Sequence, residues 1–196
     1  MTEQHQTSSL REVARRLDGA GIPWAVFAGA AAHVYGATRP ITDVDVLVPA
    51  TRGEQVAALF PEADVQVLEE SSLEILLPNL DILAGLGWMD LDAEMTARLT
   101  HHQVAGIRVP VIPPEDNILL KARMGRGPEV GKHDWQDVKA MMAPNAELDW
   151  DYLRWRAQDV LPRQRRRQIL RRLDQMWDRL SAARDAQSGQ WRAERG

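Results

Sequence analysis

Apolar positions recur along the chain with two spacings, and each spacing predicts its own kind of element. Leu10, Val13, Ala14 and Leu17 fall on one face of a helix over 8–20, with Ser8 or Ser9 as its cap and Gly19 and Gly21 at its end. "IPWAVFAGA" reads as a short strand (Trp24 to Ala28) running into small residues, and "AAAHVYGA" as a helix closed near Gly36. "RPITDVDVLVPA" is the next strand, "RGEQVAALF" a helix stopped before Pro61, and "DVQVLEE" and "LEILLPNLDILAG" further strands.

Beyond these, "MDLDAEMTARL" looks helical and "HHQVAGIRVPVI" a hairpin turning near Gly106. "PPEDNILLKARM" is a helix with prolines at its start and acids in its first turn, where both are favourable. Gly125, Gly127 and Gly131 read as a loose connection into the helix "HDWQDVKAMMA". From about Asp149 the chain is charged helix, split by Pro162. There is no internal repeat. The order predicts an α/β (α+β) fold, a mixed β-sheet flanked by helices, with a core over 1–145 and a helical C-terminal extension over 146–196.

With 196 residues, 44% hydrophobic and 27% charged, the chain can fill a core of ordinary domain size. The net charge of -4 argues against a general polyanion binder. The absence of cysteine excludes disulfides and thiolate metal sites. No run reaches the roughly 18 to 20 apolar residues of a membrane span, and the polar "MTEQHQTSSL" lacks the regions of a signal peptide. These features give the expectation of a soluble cytoplasmic protein with no membrane partner.

Asp43 and Asp45 change the picture. They stand two apart in an apolar strand and so share a face. Like charges there repel, and three things relieve that: a shared proton, solvent, or a divalent cation. Mg²⁺ prefers such hard oxygen ligands together with substrate phosphates. Upstream, Gly29 and Ala30 lead a strand into a helix, where backbone N–H groups can approach an anion. Asp81 lies in the apolar frame of "LPNLDILAG" and is the third acid; Asp64 and Glu74 compete for that place without the same frame. Three carboxylates on paired strands could hold two metal ions roughly 3.5 to 4 Å apart.

The ordered set resembles the nucleotidyltransferase superfamily that includes DNA polymerase beta: Gly29-Ala30, then "YGATRPITDVDVLV", then "LDILAG", with "ILLKARM" and "GKHDWQDVKAM" further on. It is most similar to minimal bacterial and to abortive-infection or toxin–antitoxin nucleotidyltransferases, over about residues 20–142. The resemblance implies that Asp43 and Asp45 ligate both of two Mg²⁺ ions (or Mn²⁺). Asp81 binds the catalytic ion and helps deprotonate the attacking hydroxyl. Gly29 and Ala30 hold the phosphates of a nucleoside triphosphate such as ATP, Arg39 and Thr42 sit near the same pocket, and Lys121 meets the triphosphate. Lys132, Asp134 and Asp137 orient the last core helix. The implied reaction moves NMP to a hydroxyl of a protein, a tRNA or a small molecule such as an aminoglycoside. In a toxin setting, an antitoxin is the implied partner. Ala30 replaces the family's usual Gly or Ser and His133 its usual Lys, which leaves a second reading, a catalytically degenerate binding or partner protein.

Other features are weaker. A D-x-D pair also serves glycosyltransferases, but those need a longer nucleotide-binding half before it. The run "RQRRRQILRR" suits RNA phosphates, yet Ile169, Leu170, Leu173, Met176, Trp177 and Leu180 form an apolar stripe that makes it the wet face of a packed helix. Trp150, Trp155 and Trp177 read as packing anchors, and the adjacent His101 and His102 point to opposite faces of a strand.

Overall fold

The strand carrying Asp45, β2 (Val44–Val48), with Asp43 just before it, lies near the middle of a seven-stranded mixed sheet. The computed structural model describes residues 3–41, 43–69, 72–143 and 148–193. Around β2 stand β1 (Ala25–Phe27), β3 (Asp64–Glu69), β4 (Ser72–Leu77), β5 (Leu80–Ala84), β6 (Thr100–Val104) and β7 (Ile107–Val111), in the order β3-β4-β5-β2-β1-β7-β6. The β2–β5 and β1–β7 pairs are parallel and the other four antiparallel. Val44, Val46 and Val48 pair with Leu80, Ile82 and Ala84, and all six are buried on one face of the sheet.

That apolar face is covered by α1 (Glu3–Gly19) and α3 (Gly53–Leu59). Leu10, Val13 and Leu17 are buried, as their spacing predicts. The helix starts earlier than expected. Ser8 and Ser9 lie inside α1 and cap nothing; the Ser9 hydroxyl donates weakly to the Pro78 carbonyl across the fold. Gly53 packs so tightly on β4 and β5 that a Cβ there would meet Ala84 Cβ at 3.0 Å.

The opposite face carries the acids. It is roofed by α2 (Ala28–Val34), α5 (Pro114–Met124) and α6 (Asp134–Met142). The short α4 (Ala93–Ala97) is capped by Asp92, whose Oδ1 accepts from the Met95 N–H at 2.9 Å. The tail forms α7 (Trp150–Val160) and α8 (Arg163–Ala193), parted at Pro162 as the sequence predicts. Leu153, Ala157, Ile169 and Leu173 are buried in the same core as the sheet, and Trp150 meets Trp177 edge to face at 5.5 Å. Trp155 is no packing anchor: it is half exposed, stacked on Tyr152.

Two expected features were drawn too loosely from composition. β1 ends at Phe27, because Ala28 adopts φ +53 and turns the chain into α2. The glycine-rich 125–133 segment is pinned: Asp134 Oδ2 accepts from the Arg126 backbone N–H at 2.9 Å, and the Asp134 N–H donates to the Arg126 carbonyl.

Candidate active site

Register brings the acids together. Asp45 on β2 stands directly opposite Asp81 on the parallel neighbour β5, and adjacent strands lie about 4.8 Å apart. Asp43, two residues before Asp45, points to the same side, and all three line one cleft of about 400 Å³. Burial, and then the charges of Asp43 and Asp81, push the Asp45 carboxyl up to about 7, while Lys121 and Lys132 pull against that. Burial and Asp43 likewise push Asp81 up. Among the described residues neither the Asp45 nor the Asp81 carboxylate forms a hydrogen bond or an ion pair.

Glu74 belongs with them. Sequence reasoning passed it over for want of an apolar frame, but the signal was present. The two-residue turn Pro78–Asn79 pairs Leu77 with Leu80 and Leu76 with Asp81, which sets Glu74 on the cleft side of β4. Its carboxyl is raised by burial and by Asp81. Asp64, the other rival, lies on the exposed strand β3 and does not line the cleft.

The turn that opens on the cleft is Ala28–Gly29, one residue earlier than Gly29–Ala30. Ala30, within α2, is fully buried and does not line the cleft. Ala28 holds a backbone conformation usual for glycine, and Asn117 secures it at both ends. The Asn117 Oδ1 accepts from the Ala28 N–H at 2.9 Å, and its Nδ2 donates to the Ala28 carbonyl at 3.1 Å. Nothing in the sequence flagged Asn117. A polar residue in a helical run usually faces water, yet this one is fully buried. Its neighbour Asp116 is equally buried, accepting from Tyr152 Oη at 2.6 Å and Arg156 Nε at 2.8 Å, both on α7.

Lys121 is buried at the cleft wall between two acids of α6, 3.3 Å from Asp134 Oδ1 and 3.0 Å from Asp137 Oδ2. It is thus part of the frame as well as of the lining. Arg39 reaches the same Asp137 with both carboxylate oxygens engaged, at 2.8 to 3.2 Å, from the loop at the cleft's mouth. Asp134 is driven up by burial, but Arg126 and Lys121 outweigh this and hold it below the usual carboxylate range. Lys132, expected to orient α6, instead lines the cleft with its charge felt at Asp45. Thr42 lies outside the described residues.

No protein-family model and no curated protein sequence matches the chain. Solved structures do. The antibiotic-resistance factor ANT(2'')-Ia in solution superposes with a TM-score of 0.56 at 16% identity, over 79% of this chain and 90% of that one. The same factor in complex with adenylyl-2''-tobramycin gives 0.54 at 16% identity, over 86% and 98%. An antigenic nucleotidyltransferase-like protein from Paracoccidioides brasiliensis gives 0.52 at 18% identity, over 91% and 92%. The fold is that of the nucleotidyltransferases. On this nucleotidyltransferase sheet the acid pair of β2, the acid of β5 and the turn after β1 face one another across a single cleft.

The donor set of that cleft is all carboxylate oxygen, the chemistry that Mg²⁺ and Mn²⁺ prefer. As they stand, however, the acids do not form a ready-made centre. Among the described residues no group of three or more His, Asp or Glu side chains is already arranged to hold a metal ion. The fit is therefore one of face, register and ligand type.

Proposed function

We propose that the protein transfers a nucleoside monophosphate from a nucleoside triphosphate to the hydroxyl of a small-molecule acceptor, with Asp43, Asp45 and Asp81 holding divalent cations. The observation that carries this reading is the in-register pairing of Asp45 with Asp81 beside Asp43 in one cleft, with no cation paired to the Asp45 or Asp81 carboxylate among the described residues. Bound cations would neutralise that face and the charge developing on the phosphates. A small-molecule acceptor is favoured by ANT(2'')-Ia, whose complex holds adenylyl-2''-tobramycin.

In this reading the backbone at Gly29 receives the phosphates, and Asn117 keeps the preceding residue in its turn. Lys132 and Arg39 add positive charge at the mouth. The acceptor hydroxyl approaches at Asp81, which accepts its proton. The oxygen bonds to the α-phosphorus, the bond to the β-phosphate oxygen breaks, and pyrophosphate leaves. Ala30 does not argue for a degenerate site, because its methyl lies in the core rather than on the phosphate path. The test is incubation with each of the four α-labelled triphosphates, Mg²⁺ and a panel of hydroxylated antibiotics, with Asp45→Asn as control. A labelled acceptor and released pyrophosphate are expected from the native protein alone. No transfer from any triphosphate, or equal transfer by the variant, overturns the reading.

A further inference from the structure

Beside the acids and the Ala28–Gly29 turn, the lining of the cleft includes an apolar group, Leu83, Leu86, Trp88 and Met124. Leu83 lies two residues, roughly 7 Å, beyond Asp81 on the same strand face and opposite Glu74 of β4, so the apolar group adjoins the acids. We propose that this apolar group seats the base of the nucleotide, with Trp88 as its stacking platform. The inference rests on the nucleotidyl-transfer reading and adds where the nucleoside lies.

Trp88 is built to be that platform. It forms the wall between the cleft and a second cavity. Arg123, which lines only the second cavity, places its guanidinium 4.1 Å from the indole ring. Arg123 is itself fixed, donating from Nη1 to the Val160 carbonyl at 2.6 Å. The ring is thus braced from behind by a cation. Its loop is equally constrained. The Gly85 N–H donates to the Val48 carbonyl at 3.1 Å and the Leu86 N–H to the Met89 carbonyl at 2.9 Å. Asp90 Oδ1 accepts from both the Ala50 and Leu91 N–H groups at 2.9 Å. At Gly85, φ is +68 and a Cβ would meet Ala50 Cβ at 2.8 Å, so glycine is required for this approach. A rigid aromatic surface in the apolar group lining a phosphate-binding cleft matches a flat, hydrophobic-faced base, and stacking tolerates any of the four bases while favouring the larger purines.

The experiment compares the binding of Mg²⁺-ATP and Mg²⁺-tripolyphosphate by calorimetry, using the full chain and the variants Trp88→Leu and Trp88→Phe. Trp88→Leu keeps an apolar side chain and removes the aromatic face; it is expected to weaken ATP about tenfold or more and to leave tripolyphosphate nearly unchanged. Trp88→Phe is expected to stay within a few-fold of the native protein for both, which separates loss of the ring from loss of the fold. Native ATP affinity in Trp88→Leu, or an equal loss for both ligands, overturns the assignment of the base. If the native protein binds neither ligand, the nucleotidyl-transfer reading itself fails and takes this inference with it.

Discussion

Two groups of acids stand at or beside the cleft, one on the helix α6 and one on the strands β2 and β5, and they are treated in opposite ways. Asp134 and Asp137 of α6 are buried and fully compensated, by Lys121, Arg39 and Arg126 at 2.8 to 3.3 Å. Asp45 and Asp81, on the facing sheet, have no such partner among the described residues, and burial and the neighbouring acids drive their carboxyls up. Removing charge from solvent costs several kcal/mol unless it is paired, so the first group is a closed structural joint. The second keeps a standing repulsion that the fold does not relieve. An unrelieved charge cluster in a cleft marks the place where a ligand completes the electrostatics.

The largest effect expected from this contrast is on activity. Asp45→Asn or Asp81→Asn lowers nucleotidyl transfer about a hundredfold to a thousandfold or more, read as labelled product under single-turnover conditions. A variant that keeps a tenth of native activity would remove that acid from the chemistry. Next comes the compensated group. Asp137→Ala leaves Lys121 with Asp134 as its remaining acid and Arg39 without its carboxylate, and is expected to cost about 2–3 kcal/mol of stability in urea unfolding. A loss below about 1 kcal/mol, the scale of a surface pair, would show that the joint is solvated.

The uncompensated group then predicts the opposite sign. The folded carboxyl of Asp45 sits near 7, above its ordinary value, so between about pH 4 and 7 the folded protein holds a proton that the unfolded chain has released. Metal-free stability therefore falls as pH rises through that window and levels above it. Asp45→Asn lacks this slope. Its advantage in thermal unfolding grows from pH 4 to pH 7 and reaches roughly 2 kcal/mol after allowance for screening by solvent. Equal slopes for the two proteins would contradict the raised value. The smallest effect is at Ala28, whose φ of +53 glycine adopts freely. Ala28→Gly is expected to stabilise by about 1 kcal/mol or less, measured by denaturant midpoint, since relieved strain is partly offset by a freer unfolded chain.

The contrast also explains what the sequence made legible. Val44, Val46 and Val48 alternate with Asp43, Asp45 and Leu47, and a period of two can be read without coordinates. The same holds for Leu10, Val13 and Leu17 at helical spacing. The roof was harder. Within α5, Asp116, Asn117 and Lys121 are all buried, so the polar–apolar pattern carries no record of which side faces inward. Each is satisfied by a partner from a distant segment (Arg156, Ala28, Asp137), and those pairings depend on tertiary placement alone. The turn after β1 failed for a different reason. A left-handed alanine looks like any other alanine in the string "FAGAAA", and only the backbone shows that the bend comes one residue early.

The grip of Asn117 on Ala28 reaches further than the turn. Residue 116, next along the same helix, is clasped by two side chains of the first tail helix, and residue 117 clasps the bend that faces the acids. The tail helix and the bend are thus held by consecutive residues of one helix. The backbone that Gly29 presents to the cleft is anchored, through that single covalent step, to the C-terminal segment.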